Sequence, residues 1–138
     1  MKRVICIGNP LVPGDDAGPK MFNRLLYESL PRDVELVDGG TRGLDLLPFF
    51  DGAKLVLLID QVDGFNPPAG VKLLVGEDLQ RATERRFDHQ AGIGYLLQML
   101  PHVCDIAPPE VRMIGIEGCL SEKKIERCLR MLRQQLAD

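Results

Sequence analysis

The sequence lacks any apolar run approaching the roughly 18 residues that span a bilayer. Its first residues, MKR, lead straight into an apolar strand, with no signal-type apolar region and no small-residue cleavage site. Cys6, Cys104, Cys119 and Cys128 form no CxxC pair, which argues against a zinc knuckle. The formal charge is −3 and the basic residues are dispersed, so no footprint for nucleic acid is present. Arg81, Arg85 and Arg86 cluster, but Glu84 interrupts them, and the stretch reads as a solvated loop face. Phosphate-loop, GxGxxG, GxSxG and HExxH patterns are all missing. Ser29 and Ser121 have no evident His and Asp partners. These absences lead to the expectation of a cytoplasmic protein with reduced thiols, bound to neither membrane nor nucleic acid.

Hydrophobic residues make up 45% of the 138 residues, enough for a core, and the length suits one domain over residues 1–138. Arg3 to Ile7 reads as a buried strand. Pro19 suits a first helical turn, and Met21, Phe22, Leu25, Leu26 and Leu30 mark one face of a helix that Pro31 ends. Val34 to Val37 is a second strand, followed by a turn at Asp38-Gly39-Gly40-Thr41. Thr41 can cap a short helix limited by Pro48. Leu55 to Ile59 is apolar throughout, as a central parallel strand requires. Val71 to Val75 follows too closely for a helical crossover, which predicts an antiparallel strand near an edge. Asp88 can cap a helix running to Leu100, in which Gly92 and Gly94 imply close packing or close approach of a ligand. His102 reads as a loop residue, and Val111 to Ile116 as the last strand. Ser121 caps a final helix with Ile125, Cys128, Leu129, Leu132 and Leu136 on its core face. Cys6 and Cys128 therefore read as buried. The alternation predicts a three-layer αβα domain with helices on both faces. Its twisted, mostly parallel sheet has about five strands, one of them antiparallel.

Three side chains map to one edge of that sheet. Asp15 lies in the loop GNPLVPGDDAGP, Asp60 ends the strand KLVLLID, and His89 opens the later helix. Ligands bind at the carboxyl ends of strands in open parallel sheets. Two carboxylates and an imidazole suit a divalent metal, without naming which one. Each group also has an ordinary structural use: Asp15 or Asp16 can cap a helix, Asp60 can hold loop amides, and His89 can be a satisfied surface or core histidine.

The order of these segments resembles the [NiFe]-hydrogenase maturation endopeptidases over nearly the whole chain. The resemblance rests on GNPLVPGDDAGP after the first strand, ELVDGGTRGLDLLP, LVLLIDQVDGFNPPAGV, DHQAG, and PPEVRMIGIEG before the terminal helix. It implies a protease that removes a C-terminal extension from the hydrogenase large-subunit precursor after nickel insertion, recognising the bound nickel. It implies no permanently bound cofactor, since the precursor supplies the nickel, although other divalent ions suit the same donors. It also places a metal-reading and catalytic set at Asp15, Asp60 and His89. Ungapped matching from Gly8 to Pro19 selects Asp15, whereas matching the Gly-Asp-Asp triplet selects Asp16 as the first-loop ligand. Asp38, Gly39 and Gly40 are the expected substrate-contacting residues. Gln61 and Glu117-Gly118 depart from the family pattern and bear on precursor specificity. A metal-activated water or a side-chain general base could perform the hydrolysis. The expected assembly is a monomer. The rival readings are a non-proteolytic nickel- or metal-binding accessory protein and a flavodoxin-like phosphate-ligand module. The acidic first loop disfavours the second.

Overall fold

A computed structural model describes residues 1–84 and 91–137. Five strands form one sheet: β1 (Lys2–Ile7), β2 (Val34–Gly40), β3 (Leu55–Val62), β4 (Val71–Leu74) and β5 (Glu110–Glu117). Their order is β2-β1-β3-β5-β4. The first four in that order pair in parallel, and β4 joins β5 antiparallel at the edge, as the short connection before Val71 requires. Every residue of β3 is buried, which explains its unbroken apolar run.

Helices cover both faces. Helices α1 (Ala17–Leu25) and α5 (Glu122–Leu136) pack on Val4, Cys6, Leu57, Ile59 and Ile114. The opposite face carries a 3-10 turn (Gly43–Leu46) and helices α2 (Leu47–Phe50), α3 (Gly76–Glu84) and α4 (Ala91–Val103). The Ser121 hydroxyl accepts the Lys124 N–H at 3.4 Å, which caps α5 as its sequence foretold. No helix among the described residues is long and apolar enough to cross a membrane.

Several local expectations need correction. The segment after β4 forms α3 instead of a loop. Its acidic first turn, Glu77 and Asp78, favours a helix start, and Leu79, Ala82 and Thr83 provide a narrow buried stripe. Arg81 lies on its exposed side, 4.6 Å over the Phe65 ring; Arg85 and Arg86 lie outside the described residues. Strand β2 continues through Gly40, so Asp38-Gly39-Gly40 belongs to the strand and not to a turn. Pro48 lies in the first turn of α2 instead of limiting a helix, because a first-turn residue needs no N–H. Leu26 is exposed, since α1 ends at Leu25, well before Pro31. His102 sits in the last turn of α4 and not in a loop. Asp88 lies outside the described residues. Gly92 meets the backbone of Gly43 closely; a Cβ there would come within 3.2 Å of the Gly43 Cα.

Candidate functional site at the carboxyl edge

The loop from Gly8 to Asp16 folds back over the end of β1. Asn9 organises it: its side-chain oxygen accepts the Leu11 N–H at 2.9 Å, an Asx turn. Its own N–H donates to the Asp15 carbonyl at 2.9 Å and to the Asp15 carboxylate at 3.1 Å. The backbone closes so tightly that a Cβ on Gly8, at φ +140°, would lie 2.3 Å from the Asp15 carbonyl oxygen. A Cβ on Gly18 would lie 2.0 Å from the Ile7 carbonyl oxygen. Glycine at both positions lets α1 begin directly against the strand end.

This cinched loop turns Asp15 inward, 3% exposed. Asp16 is the N-terminal flanking residue of α1, but its side chain makes no cap bond. It pairs with Lys20 at 3.1 Å, one turn along the helix. The two candidates for the first-loop ligand are thus separated: one is buried at the edge of the sheet, the other is engaged on the helix surface.

Asp60 is 5% exposed, and its Oδ1 accepts the following Gln61 N–H at 2.8 Å. It does not end β3, which runs two residues further to Val62. Strand side chains alternate between faces. Val56, Leu58 and Val62 pack with the α3–α4 layer, so Asp60 belongs to the face that α4 covers. His89, expected to open that helix, lies outside the described residues. Among the described residues no group of three or more His, Cys, Asp or Glu is gathered to hold a metal.

Asp38 pairs in register with Cys6 and is exposed, and the Arg42 guanidinium donates to its carbonyl. Burial pushes the Cys6 thiol well above its ordinary pKa, with Cys128, Asp38 and Asp60 adding electrostatic repulsion of the thiolate. Cys6 is therefore a buried neutral group lying within electrostatic reach of both carboxylates. Gly39 is packed into the sheet, where a Cβ would come 2.7 Å from Ile5 Cγ2. Gly40, at φ +50°, is half-buried at the strand end.

In the sequence Gln61 stands out only as a departure from the family pattern that bears on precursor specificity. Its Oε1 accepts the Ala17 N–H at 3.1 Å, and its Nε2 donates to the Gly118 carbonyl at 2.9 Å. A polar amide inside the apolar run LVLLIDQV was the available signal. Glu117 links the same edge to the loop before β4, accepting the Phe65 N–H at 2.9 Å. Lys124 closes the turn into α5 by donating to the Glu117 and Cys119 carbonyls at 2.7 and 2.9 Å.

A family model described as hydrogenase maturation protease matches residues 20–127. That stretch includes Asp38, Asp60 and His89 and begins after Asp15. Hydrogenase expression/formation protein HupD of Rhodobacter capsulatus is 42% identical over 66 residues, covering 46% of this chain and 31% of that protein. HoxM of Cupriavidus necator is 30% identical over 115 residues, covering 80% of this chain and 56% of its own length. The matches thus span from under a third to just over half of these curated relatives. Among solved structures, the hydrogenase maturating endopeptidase HybD from E. coli superposes with a TM-score of 0.82 at 23% identity, covering 99% of this chain and 91% of that one. The [NiFe] hydrogenase maturation protease HybD from Thermococcus kodakarensis gives a TM-score of 0.72 at 20% identity, with 98% of each chain covered. At these identities the superpositions establish a shared fold.

Proposed function

The chain belongs to the hydrogenase maturation protease family, and on that premise we propose that it is an endopeptidase acting on a [NiFe]-hydrogenase large-subunit precursor. It removes the C-terminal extension after nickel has been inserted, and it recognises that nickel as part of its substrate. The observation that carries the reading is the pair of buried carboxylates, Asp15 and Asp60, at the carboxyl edge of a parallel sheet. Asp15, Asp60 and His89 contact the precursor's nickel, and Asp38 and Gly40 lie along the path of the substrate backbone. Asp16 is the weaker candidate for a ligand because Lys20 engages it.

The donor set fits this role. Carboxylate and imidazole are suitable ligands for a divalent first-row ion. A backbone N–H donating to one oxygen orients a carboxylate, which has acceptor sites on both oxygens. The substrate's ion supplies Lewis acidity at the scissile carbonyl. The chain's own groups orient the peptide, and a carboxylate oxygen not bound to the ion, on Asp60 or Asp15, takes the proton of the attacking water, since an imidazole bound to nickel through one nitrogen carries its proton on the other. Leu11, 86% exposed on the first loop, and Leu44, 50% exposed beside β2, give a protein substrate apolar footing around the site.

The test is incubation with nickel-loaded and nickel-free precursor, followed by mass spectrometry of the precursor's C-terminus. Cleavage of the loaded form alone is expected. Equal cleavage of both would leave an ordinary peptidase without nickel recognition. Nickel binding with no cleavage of either would favour a non-proteolytic accessory protein.

A further inference from the structure

Gln61 points away from Asp60. In β3, Leu55, Leu57 and Ile59 face the α1–α5 layer, so Gln61 projects to that side while Asp60 faces the α4 side. Its side chain is 5% exposed and joins two segments far apart in sequence. Oε1 takes the N–H of Ala17, the first residue of α1, at 3.1 Å. First-turn amides have no acceptor within their own helix, so this one is available for such a tie. Nε2 donates to Gly118, in the turn between β5 and α5, at 2.9 Å. The second bond fixes the rotamer that makes the first.

Ala17 lies two residues after Asp15, and Gln61 directly follows Asp60. One side-chain amide therefore references the loop bearing one carboxylate to the strand bearing the other. We infer that Gln61 is a positioning residue for the proteolytic site, setting Asp15 against Asp60 by holding the start of α1 to the end of β3. The inference rests on the protease reading above and adds a residue which that reading does not use. A misplacement of about 1 Å at a reacting centre costs about 100-fold in rate.

Gln61→Met keeps the buried volume and removes both bonds. Gln61→Asn, a methylene too short to reach both partners, is read identically if the first variant does not fold. Three measurements are made on each full-length variant: processing kinetics with nickel-loaded precursor, calorimetric titration with Ni²⁺ alone, and amide exchange at Asn9, whose N–H is held by Asp15. The expected result is a kcat lowered about 10- to 100-fold with KM within about twofold. Ni²⁺ binding should weaken and Asn9 should exchange faster. A kcat equal to wild type, or a raised KM with unchanged kcat, would overturn the inference. If wild-type protein cleaves nothing, the protease reading falls by itself. The positioning inference is then upheld by weaker Ni²⁺ binding with faster Asn9 exchange, and overturned if either matches wild type.

Discussion

The two ends of the sheet differ in the sign of the buried charge they hold. At the amino end, Lys2, Lys54, Glu110, Arg112 and Gln135 line a cavity of about 360 Å³. There Arg112 pairs with Glu110 and donates to the Gln135 Oε1 at 2.6 Å. Buried Lys2 donates to the Leu136 carbonyl at 3.2 Å, at the negative end of α5. At the carboxyl end, Asp15 and Asp60 accept backbone amides from Asn9 and Gln61. On the function proposed above, the carboxyl end presents negative charge to an incoming group, whereas the amino end serves folding.

That contrast can be broken most severely at the carboxyl end. Asp60→Asn and His89→Ala should each lower precursor cleavage by at least about 100-fold. Asp60→Asn should move unfolding free energy by only about 1 kcal/mol, since an amide oxygen can still accept the Gln61 N–H. Parallel cleavage assays and urea titrations separate the two quantities, and a matching collapse of stability would make Asp60 a folding residue. Leu57→Ala, on fully buried β3, should reverse the pattern by costing about 2–5 kcal/mol of stability, seen as a lowered urea midpoint. At the amino end, Lys2→Met should cost about 1–2 kcal/mol by removing the ion from the end of α5. Cleavage per folded molecule should stay at the wild-type rate, which tests whether the two ends are independent. The smallest effect is expected from Ser121→Ala, about 0.5–1 kcal/mol by thermal melt, because its cap bond is long at 3.4 Å.

What could be read from the sequence was what repeats along the chain. The unbroken apolar run of β3, the short link before β4 and the stripe Cys128, Leu129, Leu132 and Leu136 each announce their place locally. Helix α3 was missed because only Leu79, Ala82 and Thr83 on it are buried, too few to set a period among charged neighbours. The extent of β2 was missed because Gly39 signals a turn in isolation, yet here it packs against Ile5 of the adjacent strand. That Asp15 and Asp60 lie near one edge of the sheet was legible because parallel topology dictates where strand ends meet, while the choice of Asp15 over Asp16 rested on the family resemblance. The bridge made by Gln61 could not, because its partners lie 44 and 57 residues away and nothing near it in sequence encodes them.

The strand order has a consequence for synthesis. β4 leaves the ribosome before β5, yet its sheet partner is β5. Until Glu110–Glu117 emerges, β3 has β1 on one side and an open apolar edge on the other. Unpaired edges of this kind recruit foreign strands, and non-local parallel pairing is slow to form. The nascent chain therefore passes through a stage in which its most apolar strand is half-zipped and its edge strand has nowhere to dock. β5 ends that stage by inserting between the two. A pause in translation before Glu110 would prolong the exposure, and a chaperone that shields strand edges would matter most in that interval.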